Sequence, residues 1–133
     1  MRRGLLVIGF MGLMGLVGLV GCGKATAEEL AALAAEGYYH HLTAGEYEQF
    51  LQGKAGADSL PESYREQLLV GYKQFMAQQQ KEHQGIRNAR ATNAVKDSTL
   101  QLMQVFLMLE YGDSTQEEIV VPMVERDGRW RMK

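Results

Sequence analysis

The spacing of apolar side chains changes once along this chain, at Gly85, and that change limits the folds open to it. Before Gly85, apolar residues return every three or four positions, the period of a helix with one buried stripe. Tyr64, Leu68, Tyr72, Phe75 and Met76 are the clearest case. After Gly85 the apolar residues alternate, the period of a strand. Ile119, Val121 and Met123 share one side of one segment, and Met103, Val105, Leu107, Leu109 and Tyr111 share one side of another. A block of helices followed by strands joined by short turns is the order of an α+β domain, with helices gathered on one face of an antiparallel sheet.

Cap and turn residues set the expected boundaries. Ser or Thr followed three residues later by Glu is the capping-box pattern at a helix start. It occurs at Thr26 with Glu29, Thr43 with Glu46, and Ser59 with Glu62. These predict helices ending near Leu42, near Gln52 (closed by Gly53), and towards Gly85, with Pro61 tolerated in a first turn. The first helix would bury Leu30, Leu33, Ala34, Tyr38 and His41, and the second Tyr47, Phe50 and Leu51. The third turns wholly polar from Gln78 to His83, a tail expected to project or fray. Strands are expected over Ile86–Lys96, Leu100–Tyr111, Glu117–Arg126 and Arg129–Met132. Lys96–Ser98 and Gly112–Ser114 supply turns, and Asp127-Gly128 is a two-residue hairpin turn of the favoured kind. The expectation is one domain over 27–133, with three helices packed on a curved antiparallel sheet of about four strands.

The N-terminal segment has the parts of an export signal: Arg2 and Arg3, then an uninterrupted apolar run from Leu5 to Val20. That run falls short of the roughly 20 residues that cross a bilayer comfortably. Leu19-Val20-Gly21-Cys22 then resembles the lipobox of bacterial lipoprotein signals. The resemblance implies a signal peptide over 1–21, cleavage between Gly21 and Cys22, lipid on the Cys22 thiol, and a short tether over 22–26. Two or three acyl chains, palmitate among them, anchor firmly where one binds marginally. The expected address is the cell envelope, on the periplasmic face of the outer membrane.

Cys22 is the one cysteine of the chain, so its lipidation leaves the domain without a disulfide. Packing has to hold it together. Loss of Arg2 and Arg3 leaves 14 − 2 = 12 basic residues against 16 acidic, taking the net charge from −2 to 12 − 16 = −4. The basic residues are dispersed and interleaved with Glu, which argues against nucleic-acid binding and against a polybasic membrane patch.

The order of elements, with Tyr38-Tyr39 and Ala44-Gly45-Glu46-Tyr47 in the helices and Gly85-Ile86 before the sheet, resembles the nuclear transport factor 2-like superfamily. Leu109-Glu110-Tyr111-Gly112-Asp113 and the closing Asp127-Gly128-Arg129-Trp130-Arg131-Met132 match it too. The resemblance implies a cone-shaped α+β fold and, more narrowly, small envelope lipoproteins; it carries no activity with it. Members of this superfamily usually have a second glycine at the position of Gln84.

Titratable residues do not assemble into a catalytic or metal motif. His40 and His41 are adjacent and point about 100° apart on a helix, and His83 lies in the polar tail. No metal or cofactor is expected. Asp97, Asp113 and Asp127 fall in predicted turns and Glu110 at a strand end, leaving Asn88, Asn93 and Gln104 at strand centres. None of those three moves a proton near neutral pH, so no catalytic residue is expected. Two roles follow, the second with catalysis as a minor variant. In the first, the domain binds an envelope protein or a second copy of itself. Its surface would be the interrupted face of the strand Leu100–Tyr111, with Gln104, Phe106 and Met108 as the candidate interaction residues. In the second, it binds a small ligand in an apolar cone, with Tyr38, Tyr64, Tyr72 and Trp130 as candidate pocket residues. A cavity of several hundred cubic ångströms would favour the ligand; a filled cone would favour the protein partner.

Overall fold

The structure, a computed structural model, describes residues 24–133; the signal segment, Gly21 and Cys22 lie outside the described residues. Its centre is strand β2 (Leu102–Tyr111), where alternation from Met103 onward places one row of side chains in the interior. Met103, Val105, Leu107, Leu109 and Tyr111 are all buried, none more than 3% exposed. Gln104, Phe106, Met108 and Glu110 on the other side are half-buried. Each buried aliphatic side chain of this kind contributes about 1.5–3 kcal/mol, so the unbroken row anchors the domain.

Antiparallel pairing extends the sheet to both sides in the order β1-β2-β3-β4. Strand β1 spans Ile86–Asp97, β3 spans Gln116–Arg126 and β4 spans Arg129–Met132. The β2–β3 register sets Val105 opposite Val121 and Met103 opposite Met123, which joins their buried side chains across the ladder. Register shifts in β1 between Ile86 and Asn88, and between Ala91 and Asn93, bend that strand. The β3–β4 hairpin turns through Asp127 at φ 54° and Gly128 at φ 77°, the paired positive angles of a type I′ turn.

Helix α1 (Ala27–Thr43) packs on this sheet through Ala31, Ala35 and Leu42. Two alanines let the backbone approach closely. Leu30 and Leu33, expected inside, are 46% and 63% exposed, so the buried face is rotated from the leucine stripe to the alanine stripe. Along the free edge of β1, the Glu36 carboxylate accepts from the Ala91 N–H at 2.6 Å, and His40 Nε2 lies 3.0 Å from the Ala89 carbonyl. These side chains occupy edge groups that a further strand would otherwise seek.

One of the three capping boxes forms. Thr26 accepts from the Glu29 N–H while the Glu29 carboxylate accepts from the Thr26 N–H, closing both bonds. Helix α2 (Tyr47–Gln52) begins at Glu46 without a side-chain cap, because α1 continues to Thr43, whose hydroxyl donates back to the His40 carbonyl. Ser59 ends a 3-10 turn over Ala57–Ser59, and helix α3 (Glu62–His83) starts from Pro61 without a side-chain cap. The β1–β2 turn is longer than expected, so β2 starts at Leu102 and leaves Leu100 exposed.

Helix α3 has 22 residues and none of them is buried. Leu68, Leu69, Tyr72 and Met76 are half-buried, while Tyr64 and Phe75 are exposed. Its polar C-terminal turns stay helical to His83 and return to the sheet. Gln84 then sits at φ 63° and Gly85 at φ 85°, and both cap N–H groups close on the last carbonyls of the helix. The resemblance leads one to expect glycine at position 84; a glutamine here holds the same left-handed conformation.

The capping difference is measurable. Thr26→Ala should lower unfolding free energy by about 1 kcal/mol, and Ser59→Ala should stay within about 0.5 kcal/mol of the parent in denaturant titrations. Equal losses would show that the Ser59 pattern also acts as a cap.

Candidate functional site

Because α3 covers the sheet only partially, a cavity of about 350 Å³ remains between it, α1, α2 and the inner face of β2 and β3. That lies near the lower end of the range for small-molecule sites. One wall is aromatic. Phe50 receives Tyr39 and Tyr72 edge-on, with ring centroids 5.2 Å and 4.9 Å away and interplanar angles of 82° and 85°. Phe75 completes this side, and Leu42, Leu109 and Ile119 supply aliphatic surface opposite. Burial pushes the Tyr39 and Tyr72 hydroxyls above the ordinary phenol range, so both remain neutral donors.

The remaining wall is polar. Tyr111 donates its hydroxyl to Glu117 Oε1 at 2.6 Å, and both residues line the cavity. Gln79 reaches in from the C-terminal part of α3, and its Oε1 is buried with no hydrogen-bond partner among the described residues. Buried acceptors are ordinarily paired, so this one is a feature to explain. Burial, then the bond to Glu117 and its charge, push the Tyr111 hydroxyl up to about 12.

Behind this wall a small network fixes the corner. The His83 ring stacks on Tyr111 at 4.2 Å and 19°, and its Nδ1 lies 3.2 Å from Asp113 Oδ2. Hydrogen bonds from Thr115, and then His83, hold the Asp113 carboxyl below its ordinary range. The Gly112 N–H donates to the Gly85 carbonyl at 2.8 Å, and the Asp113 N–H to the His83 carbonyl at 2.9 Å. A Cβ at Gly112 would meet the Gln84 carbonyl oxygen at 2.2 Å, so this crossing of α3 over the β2–β3 turn requires glycine. His83, expected in a projecting tail, is therefore held against the sheet.

The four tyrosine and tryptophan positions singled out from sequence go to different places. Tyr72 lines the cavity. Tyr64 is exposed on α3. The Tyr38 hydroxyl donates to the Trp130 carbonyl at 2.6 Å, and a Cβ at Gly53 would lie 2.4 Å from the Tyr38 ring, so the pair serves packing between α1, β4 and the Gly53 segment. Trp130 lines a separate surface cleft of about 580 Å³, larger than the cavity, with Leu102 and Met103 beside Glu28, Lys96, Gln101 and Glu125. Sequence reasoning missed Tyr39, Gln79, Tyr111 and Glu117 as cavity residues. Tyr39 was within reach: with the buried stripe of α1 on Ala31, Ala35 and Leu42, it falls one helical turn from Ala35 on that side.

Gln104, Phe106 and Met108 lie side by side on the outer face of β2, half-buried. Phe106 pairs with Asn93 and Val120, and Met108 with Arg90 and Glu118. Around Met108 the surface is polar: Arg90 Nε donates to Glu110 at 2.9 Å, Asn88 to the same carboxylate at 3.2 Å, and Thr92 to Glu118 at 2.9 Å. The groups around Glu110 hold its carboxyl below the ordinary range, the bond from Arg90 first. No group of three or more metal-ligating side chains, and no helix long and apolar enough to cross a membrane, occurs among the described residues.

Among solved structures, the chain is similar to a candidate nuclear transport factor 2-like transpeptidase from Campylobacter jejuni, with a TM-score of 0.58. The match covers 74% of this chain and 92% of that one. The fold is nuclear transport factor 2-like. At 8% identity the likeness carries the backbone architecture and no activity. No family model and no curated protein matches the sequence. The cavity occupies the space between the helices and the inner face of the sheet.

Tyr111 gives the site a pH signature. Its phenol ionises at about 12 in the folded state against about 10 unfolded. The folded state keeps that proton longer, so the associated stability is complete below pH 10 and is lost as pH rises to 12. Tyr111→Phe should flatten the decline in melting temperature across that window and remove a late tyrosinate absorbance step. An unchanged titration would mean that Tyr111 is not a late-ionising group.

Proposed function

We propose that this chain is an envelope lipoprotein, tethered through lipid on Cys22, whose nuclear transport factor 2-like domain binds a small ligand without transforming it. The observation that carries the ligand reading is the cavity of about 350 Å³, walled by Tyr39, Phe50 and Tyr72 on one side and by Gln79, Tyr111 and Glu117 on the other. A filled cone would have supported a purely structural or protein-docking role. The non-catalytic part rests on the kind of groups present. The cavity offers neutral phenols, a carboxamide and a carboxylate with one oxygen bonded to Tyr111. His83, the nearest imidazole in this corner, is engaged with Asp113 behind the Tyr111 ring. A general base needs a clear path to substrate, and His83 is not among the residues that line the cavity.

The address rests on the sequence of the N-terminal segment: the basic pair, the apolar run and Leu19-Val20-Gly21-Cys22. In this reading the tether over 22–26 holds the domain near the periplasmic face of the outer membrane. Fully extended, a segment of that length reaches roughly 17 Å, so the domain stays close to the bilayer.

Two experiments test these parts separately. Cys22→Ala should abolish incorporation of a palmitate analogue and leave the precursor unprocessed; labelling equal to the parent would remove the lipoprotein reading. Ile119→Trp should fill the cavity from the β3 side. Native mass spectrometry of the full-length protein from its own membranes should then lose a small-molecule adduct present in the parent, with melting temperature within a few degrees. An adduct that survives in Ile119→Trp places the ligand elsewhere, and a parent without any adduct counts against the ligand reading.

A further inference from the structure

We infer that the cavity accepts an organic ammonium ion, with an apolar or aromatic body against Tyr39, Phe50 and Tyr72 and its protonated nitrogen at Glu117 and Gln79. This deepens the ligand-binding reading above and rests on it.

The sign of charge selects the class of ligand. Among the described residues, no Lys, Arg or His lines the cavity. Glu117 makes no salt bridge among the described residues; its one partner at the cavity is the neutral Tyr111 hydroxyl on Oε1, which leaves Oε2 free to accept. Gln79 adds a second acceptor, buried and unpartnered. The faces of the aromatic rings are a third source of negative potential, and cations seat favourably on them. An anionic ligand would meet the carboxylate and the carboxamide oxygen with no donor of positive charge. A neutral hydrocarbon would fill the apolar volume and leave Gln79 Oε1 unpaired. An ammonium group pairs with both acceptors through charge-assisted hydrogen bonds.

The surrounding charges do not cancel this pattern. Lys54 and Lys133 line a neighbouring recess of about 210 Å³, which shares the Tyr39, Phe50 and Tyr72 rings with the cavity. Lys73 lines a third cleft, between α2 and α3, with Glu46 and Glu48. His83 stands behind Tyr111 and is directed to Asp113. Glu117 is itself exposed while Gln79 Oε1 is buried, so the cavity's polar side runs from its mouth inward. The amine head can lodge there as the body enters.

A matched set of probes separates charge from volume: 2-phenylethylamine, phenylacetate and ethylbenzene, each titrated into the full-length protein in detergent and followed by the Ile119 methyl resonance. The amine should bind about tenfold more tightly than either other probe. Glu117→Gln, which keeps an acceptor for Tyr111, should erase that preference while leaving ethylbenzene binding unchanged. Glu118→Gln, on the outer face with Thr92, should retain it. Ethylbenzene or phenylacetate binding as tightly as the amine, or an amine preference that survives in Glu117→Gln, overturns the ammonium inference and leaves the cavity as a ligand site. Failure of all three probes to move Ile119 overturns the ligand-binding reading itself.

Discussion

Everything in this domain is arranged around one row of five side chains on β2. Met103, Val105, Leu107, Leu109 and Tyr111 alternate into the interior, and each neighbouring element is placed by what it adds to that row. From β3 come Val121 and Met123, paired directly across the ladder. Small side chains on α1 let it lie close. The row ends in Tyr111, where a hydrophobic ring carries a polar tip. That tip requires a partner once buried, and Glu117 supplies it. The core therefore passes continuously into the candidate site, and the last residue of the buried row is also part of its polar wall.

The cavity is a consequence of unequal coverage. Helix α1 follows β1 and β2 closely, with its alanines against the sheet and Glu36 and His40 on the strand edge. Helix α3 carries bulky residues where α1 carries alanine, and it meets the sheet mainly at β1. Tyr72, Phe75 and Gln79 hold it away from β3 along the middle. At its C-terminus, the contact of Gln84 and Gly85 with Gly112 pins it to the β2–β3 turn. The other exposed edge is covered differently: the Gly53–Ala55 segment bonds along β4, with the Met132 N–H donating to the Gly53 carbonyl and the Ala55 N–H donating to the Met132 carbonyl. Short irregular segments do here what additional strands do in larger sheets.

Reading these features from sequence succeeded where a single local rule decides the outcome. A period of two leaves just two choices of face, and the unbroken apolar set on β2 identified the inner one. Positive φ at Asp127 and Gly128 followed from a turn chemistry with few alternatives. A helix has a continuous choice of rotation, and the phase of α1 was set by how closely it approaches the sheet. Alanine was selected over leucine for that reason, and leucines at 30 and 33 face outward. Capping patterns fared similarly. Thr43 and Ser59 have the right neighbours in sequence, but the chain is already helical at one and in a 3-10 turn at the other. The candidate site was the least legible part, because Tyr39, Phe50, Gln79 and Glu117 come from four separate elements and meet only when the helices fold over the inner face of the sheet.

A helix of 22 residues without one buried side chain has a kinetic meaning. Its attachment depends on half-buried contacts at Leu68, Leu69, Tyr72 and Met76, so separating it from the sheet exposes little new apolar area and leaves the β2 row intact. Partial opening of this kind is far less costly than global unfolding. The amides of α3 should consequently exchange with solvent through a local route, ahead of those in β2. The domain therefore has two grades of firmness: a sheet that keeps its packing, and an amphipathic wall that can leave it.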